Sequence, residues 1–508
     1  MGLDLGTMLI KAAVFDLKGR MIASSSREVE VEFPKPGWAE QDPEHLWSVA
    51  ARVIRECLSS RGIDSSRIIG LSLTGQMHGT FLVDEEGKLA RRKAIIWLDS
   101  RSREILKRYS ESGLADRIYD VSGWKLITSM QVMHLSWLRE NEPETLRKAK
   151  HFMACKDYIR FKLTGKPMMD RTDASVTGLM DSRRGEWSKE LCDELGIPLD
   201  ILPELKNSWE YAGEVTEEAA KETGLKPGTP VAAGAGDICS TALGAGVVRP
   251  GQLCAIVGTA GIYELVTDKL ILDEERRYSV AYHAVPNAWL LEAVQMTAGA
   301  ALRWFKDEFG YEEQLRGKEV GKSAYALMDE KAAASPPGAR GVIFHPFLQG
   351  ERSPFVKPTA RGIFYGIGLW TKKGDMIRAV MEGTAYAARD NIDLFRRKAE
   401  IKEVRLAGGG AQSDLWAQII ADVLNLEISI PNCVECGALG AAMEASVVAG
   451  VHENPVEAAE NMVQVEKSFK PNKENAARYD KLFPLYRKLY ETLWNFYDEA
   501  ESVYSSLE

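Results

Sequence analysis

Hydrophobic and polar positions alternate in short bursts through the first forty residues and then settle into a longer period. Met1–Leu5 and Lys11–Asp16 read as two strands, and Arg20–Ala23 with Val29–Phe33 continues them as a meander. Asp4-Leu5-Gly6-Thr7 is a small turn between the first two, and Asp16-Leu17-Lys18-Gly19 supplies hairpin chemistry before the next. From Pro43 the period becomes that of a helix running to about Arg61, with Leu46, Val49, Ala50, Val53, Ile54 and Leu58 on one face. Ile68–Thr74 and Thr80–Val83 return to strand, and Asp84-Glu85-Glu86-Gly87 turns the chain after them.

The same order recurs near residue 247. Gln252–Val257 is a strand, Gly258-Thr259-Ala260-Gly261 a turn, and Ile262–Val266 another strand. Strand, Gly-Thr turn, strand in each half predicts two domains of one architecture, 1–246 and 247–508. Glu403–Leu406 runs into Gly408-Gly409-Gly410, and Ser413 is placed to cap a helix carrying Leu415, Trp416, Ile419, Ile420, Val423 and Leu424 on its period. Gly437–Val448 reads as a small-residue helix, and the tail after about residue 473 as one amphipathic helix.

Composition narrows the function classes. A chain of 508 residues exceeds one ordinary core. Its net charge of -9 offers no basic field for nucleic acid or a membrane surface, although local groups can still hold a small anion. The seven cysteines are odd in number and scattered, which predicts reduced thiols in the cytoplasm. Cys433 and Cys436 have CxxC spacing without a second pair, so they predict no zinc site. Asp4 interrupts the apolar start, arguing against a signal peptide, and no stretch has the length of a membrane span.

The chemistry begins with what is missing: no GxxxxGK[ST] loop, no protein-kinase motif set and no GxGxxG at Gly408–Gly410. The two Gly-Thr turns expose backbone N–H groups and a hydroxyl that suit phosphate oxygens, yet either one alone is an ordinary hairpin. Longer motifs carry more weight. Gly362-Ile-Phe-Tyr-Gly366-Ile367, then Asp375-Met-Ile-Arg-Ala-Val-Met-Glu382 after a spacer, resembles the second signature of the FGGY carbohydrate kinases. Pro36–Pro43, Gly234-Ala-Gly-Asp237, Gly350-Glu-Arg-Ser-Pro354, Gly408–Ser413 and Glu435–Ala441 are similar to that family in the same order. Ser72-Leu-Thr-Gly-Gln-Met-His-Gly79 resembles its xylulokinase branch.

The resemblance implies an α/β fold of two ribonuclease H-like domains, of the actin and hexokinase ATPase type, flanking a catalytic cleft that closes on sugar. It implies ATP and Mg²⁺ as cofactors and transfer of phosphate to a sugar hydroxyl, D-xylulose giving D-xylulose 5-phosphate. Another ketose or a polyol is the alternative acceptor, and a non-catalytic sugar or nucleotide sensor the alternative function. By the same resemblance Asp237 is the general base, and Met77, His78, Asp99 and Asp237 bind the sugar. Asp4 organises the metal. Thr7, Gly258 and Thr259 meet the β- and γ-phosphates, Lys11 adds charge, and Gly409, Gly410 and Ala411 lie against adenine. A homodimer is possible. The sequence departs from the family at Met8, Leu9, Ser100 and His134, and Leu98 and Ile238 stand where xylulokinases usually carry Asn.

Overall fold

The computed structural model describes residues 1–433 and 435–507. Val434, inside the Cys433–Cys436 spacing, lies outside the described residues. The chain forms two compact units, mixed α/β in content, and both take chain from more than one stretch. The first comprises Met1–Pro250, Val266–Leu290 and Glu435–Gln464; the second comprises Gly251–Leu265, Leu291–Val434 and Val465–Glu508. A single division at residues 246 and 247 places two later segments with the second domain, whereas by contacts they cluster with the first.

The first unit is built on a sheet of strands in the order Ala235–Gly236, Ser72–Gly75, Gly2–Leu5, Leu9–Phe15, Met21–Glu28. Gly2–Leu5 runs parallel to Ser72–Gly75, which runs parallel to Ala235–Gly236. Asp4 and Asp237 therefore sit at the carboxyl ends of parallel strands, where open α/β sheets place their ligands. The helix expected from Pro43 spans Pro43–Ser60, with Asp42 accepting the N–H groups of Glu44 and His45 and Leu46, Val53 and Ile54 buried. Val29–Phe33 forms no strand: Pro34 and Pro36 lack N–H donors, and Glu32 alone bridges to Glu40.

The helix Cys436–Val448 completes this unit from far along the sequence. It packs on the helix Asp237–Gly244 so closely that a β-carbon on Gly244 would lie 1.8 Å from the Cys436 carbonyl oxygen, and one on Gly440 2.0 Å from that of Ser240. Only glycine admits such an approach. The same helix carries Glu444 into the core, where Ser72 Oγ donates to its carboxylate at 2.8 Å.

Burial pushes the Glu444 carboxyl up to about 8. A carboxyl raised in the folded state stabilises most below its unfolded pKa, and the benefit is lost as pH rises towards 8. Glu444→Gln keeps an acceptor for Ser72 and removes the ionisable group. Its melting temperature is expected to match the parent at pH 4.5 and to exceed it by about 3 °C or more at pH 8, measured by calorimetry across that range.

A buried ionic cluster lies in the same unit. Lys156 Nζ meets Asp157 at 2.7 Å, Asp170 at 2.6 Å and Asp173 at 3.0 Å, and every member is fully buried. Arg160 adds a second cation at 2.7 Å from Asp157. Burial works against the Lys156 ammonium, yet the three carboxylates hold its pKa above the usual lysine value. Burial, reinforced by Asp170 and Asp157, pushes the Asp173 carboxyl up to about 8. With Asp173 carrying its proton, two cations balance two carboxylates.

In the second unit the strands run in the order Trp289–Gln295, Gly261–Thr267, Gln252–Val257, Glu403–Ala407, Ile428–Pro431, Val465–Phe469. Gln252–Val257 and Glu403–Ala407 are parallel, so the Gly258-Thr259 and Gly408–Gly410 turns leave the sheet at the same end. The expected helix over 414–424 is present, and Ser413 Oγ accepts the Trp416 N–H at 3.1 Å. The tail is two helices, Lys473–Thr492 and Trp494–Ser505, because the chain breaks at Leu493 and Trp494 packs edge-on against Phe355 with centroids 5.2 Å apart.

Candidate active site

Asp237 follows the strand Ala235–Gly236 directly and is the first residue of the helix Asp237–Gly244. Gly236 occupies the N-cap position, and the Ile238 N–H donates to Asp237 Oδ1 at 2.9 Å. Met77 is pressed against Gly236, where a β-carbon would fall 2.6 Å from Met77 Cε. His78 adopts a φ of 62°, a region that costs a non-glycine residue energy and turns its side chain away from the strand path. Its Nδ1 lies 3.3 Å from Gln131 Oε1, and its ring is 5.7 Å from that of Trp124. Met77, His78 and Gly236-Asp237 are thus drawn to one end of the first unit's sheet. Gln131 and Trp124 join them from a segment fifty residues on, and no motif or spacing in the sequence marks them.

Asp4 lies opposite Lys11 in one neighbouring strand and Thr74 in the other. Burial raises its carboxyl to about 6, with Lys11 opposing and Glu435 reinforcing the rise. Lys11 Nζ reaches Glu435 Oε2 at 2.5 Å, and a β-carbon on Gly437 would be 3.2 Å from Asp4 Oδ2. The helix that begins at Cys436 therefore brings a second carboxylate, Glu435, to Asp4. The sequence places Glu435 in a family stretch but gives it no role. A carboxylate that resists ionisation, with a second one brought near it, offers the oxygen ligands that a hard divalent cation takes.

Three expected site residues are otherwise engaged. Asp99 is 1 % exposed; it accepts the Ala39 N–H at 2.7 Å and pairs with Arg101 at 2.8 Å. Arg101 is in turn held over the Trp38 ring, 3.8 Å from its centroid, and bonded to Glu40 at 2.7 Å. In this arrangement the Asp99 carboxylate is buried and holds Arg101 in place. The Thr7 hydroxyl accepts from Trp97 Nε1 at 2.7 Å and donates to Gln76 at 3.3 Å, so the first Gly-Thr turn is braced by neighbours. Lys11 is bound to Glu435, which sets it beside Asp4 as a counter-charge. Leu98 is exposed and Ile238 partly so, leaving apolar side chains where two amides would be expected.

The second unit holds a cavity of about 450 Å³, within the range of small-molecule sites. Gly258 and Thr259 line it together with Gly409 and Gly410, brought there by the two parallel strands they follow. Ala411 belongs to the same turn, but its N–H is committed to the Gly408 carbonyl at 3.1 Å, and it stands outside the lining. Arg303, Tyr325 and Asp329 complete the wall, from helices that carry no recognisable motif. Burial raises the Asp329 carboxyl above its ordinary value. Among the described residues no helix is long and apolar enough to cross a membrane.

Comparison with known proteins gives this geometry a context. The N-terminal domain of the FGGY family of carbohydrate kinases matches residues 1–244, and the C-terminal domain of that family matches residues 253–449. The xylulose kinase of Bacillus subtilis (strain 168) is 31% identical over 494 residues, covering 96% of each chain. The L-xylulose/3-keto-L-gulonate kinase of Escherichia coli (strain K12) is 31% identical over 501 residues, covering 98% of this chain and 97% of the relative. Among solved structures, gluconate kinase from Lactobacillus acidophilus superposes with a TM-score of 0.90 at 27% identity, covering 98% of both chains.

Proposed function

Because the chain belongs to the FGGY family of carbohydrate kinases, and is thereby a phosphotransferase acting on a sugar with ATP, we propose that its acceptor is a ketopentose, D-xylulose, phosphorylated at the terminal hydroxyl. The observation that carries the reading is the position of Asp237, which follows a parallel strand's carboxyl end with Met77 packed against the neighbouring Gly236. Relatives named xylulose kinase support the choice of sugar.

In this reading the acceptor hydroxyl is oriented by His78 and Gln131, and Asp237 takes its proton as the bond to phosphorus forms. A carboxylate suffices for that role because the hydroxyl turns acidic only late in the transfer. The backbone N–H groups of the Gly258-Thr259 turn cradle phosphate oxygens, while Gly409 and Gly410 admit the flat face of adenine. Asp4 and Glu435 would hold magnesium, which when bound offsets the charge of the phosphates. Neutralisation and positioning are most of what a phosphoryl transfer asks of a protein.

Asp4 sets a pH dependence. With its carboxyl at about 6, proton and cation compete for it below that value. The apparent affinity for Mg²⁺ is expected to fall by up to about tenfold for each unit below pH 6 and to level off above pH 7, read from initial rates against Mg²⁺ at each pH. An affinity flat from pH 5 to 8 would remove Asp4 from the metal site.

A second reading keeps the reaction and changes the acceptor to another ketose or a polyol, favoured by the apolar Leu98 and Ile238. Curated relatives of similar identity include kinases named for L-xylulose and autoinducer-2. The test is ATP consumption by the purified protein with Mg²⁺ across a panel of ketoses, polyols and sugar acids. Selective turnover of D-xylulose upholds the first reading; selective turnover of another acceptor replaces it.

A further inference from the structure

The first unit contains a further cavity, of about 330 Å³, that none of Asp4, Met77, His78 or Asp237 lines. In a chain whose net charge is -9, this cavity is lined by three arginines, Arg171, Arg183 and Arg184, and by no carboxylate. Of the acids nearby, Asp181 lies 3.8 Å from Arg184 and Glu210 accepts the Asn207 N–H at 2.8 Å, while Arg183 NH1 donates to the Asp120 carbonyl at 2.6 Å. Arg171 is fixed in place, donating through Nε to the Gly185 carbonyl at 3.0 Å and through NH1 to Asn207 Oδ1 at 3.2 Å. Gly185 makes room for this arrangement, since a β-carbon there would fall 2.7 Å from the Tyr282 hydroxyl. Tyr282 and Trp289 pack edge-on at 5.6 Å and give the cavity an aromatic wall.

Two hydrogen bonds run from this cavity to the segment that carries Asp237. Thr172, in the lining, accepts the Gly236 N–H on its hydroxyl at 2.9 Å. Tyr282, also in the lining, accepts the Cys239 thiol on its carbonyl oxygen at 3.3 Å. Gly236 and Cys239 lie on either side of Asp237 in the sequence, so a ligand that shifts Thr172 or Tyr282 pulls on the backbone bearing that carboxylate.

We propose that this cavity is a second binding site, for a phosphorylated small molecule, and that its occupancy alters turnover through Gly236 and Cys239. Planar guanidinium groups match the oxygens of a phosphate monoester, and the aromatic wall offers a surface for the attached carbon skeleton. The cavity volume suits a sugar phosphate, the product class of a carbohydrate kinase. Inorganic phosphate presents the same anion without the skeleton. The site stands apart from the choice of acceptor, because it rests on its own lining.

The test uses the full chain with the nucleotide site saturated by ADP, titrated by calorimetry with D-xylulose 5-phosphate and, separately, with inorganic phosphate. R183A/R184A changes two exposed side chains and is expected to leave the KM for ATP unchanged while weakening the ester at least tenfold at this site. Initial rates with added ester are expected to differ at least twofold from those of the double variant; inhibition at the acceptor site is common to both proteins and cancels. Phosphate binding as tightly as the ester assigns the affinity to the arginines alone, and weaker phosphate binding assigns the remainder to the aromatic wall; both uphold the site. Equal ester affinity in parent and variant, or ester binding without a difference in rate, overturns the proposal.

Discussion

Asp237→Asn is expected to lower kcat by about 10²- to 10⁴-fold while the KM for ATP stays within about twofold of the parent. The substitution is chosen for what it preserves. Asparagine keeps an oxygen to accept the Ile238 N–H, so the start of the helix Asp237–Gly244 is retained. It loses the basicity that removes a proton from the acceptor hydroxyl. Because Asp237 is partly buried and asparagine has nearly its shape, the melting temperature should move by no more than about 2 °C. Steady-state kinetics and calorimetry on the same preparation decide the matter. Turnover within tenfold of the parent, with the protein folded, would take the general-base role away from Asp237.

Lys156→Met should produce the largest loss of stability of any single change described. The substitution removes the cation shared by Asp157, Asp170 and Asp173 and leaves these buried carboxylates with Arg160 as the nearby counter-charge. Breaking a buried ion pair by deleting one partner costs about 3–5 kcal/mol, since the surviving charge has neither water nor a partner. A fall in melting temperature on the order of 10 °C follows. The loss should ease as pH is lowered, because protonated carboxyls no longer repel one another, and Asp173 is already raised to about 8 in the parent. A melting temperature within about 2 °C of the parent at pH 7 would show that the cluster does not hold the unit together. Turnover should also suffer, because Arg160 donates to the Ala233 carbonyl at 2.6 Å and Asp170 caps the helix bearing Thr172, which fixes Gly236.

Much of the architecture is visible in the sequence because local chemistry and tertiary packing agree there. The helix Pro43–Ser60 has a capping Asp42, a proline in its first turn and one apolar face. The helix Asp414–Leu424 has its serine cap and an αL asparagine at its end. The Gly-Thr turns and the Gly408–Gly410 run were legible as backbone features because glycine marks where a chain bends. The candidate site comes from the sequence in another manner, through motif resemblance, which proposes Asp4, Met77, His78 and Asp237 without saying what surrounds them.

What the sequence concealed are the partners. Asp99 looks like any acid available to a sugar until Arg101, two positions on, is found wrapped around it between tryptophans. Glu435 lies 431 positions from Asp4, and Lys156 shares its cluster with carboxylates up to 17 positions away. Charge compensation of this kind has no period, so neither the 3.6-residue nor the two-residue rhythm records it. The arginine-lined cavity is likewise assembled from turns separated by about a hundred residues.

The backbone contact between the helices Asp237–Gly244 and Cys436–Val448 bears on how the protein comes into being. The helix that Asp237 begins is seated against a stretch that leaves the ribosome almost two hundred residues later. Until then, the glycine-smooth face of Asp237–Gly244 and the sheet face around Gly2 have nothing to rest on, since a β-carbon on Gly2 would lie 2.0 Å from the Ala438 carbonyl oxygen. The amino-terminal half is therefore synthesised as an unfinished body that waits for residues 435–464, and during that wait its exposed apolar surface is the natural substrate of chaperones. Gene fission at residue 250 would put the two partners of this contact on separate chains, whereas fission beyond Gln464 would leave them on one chain.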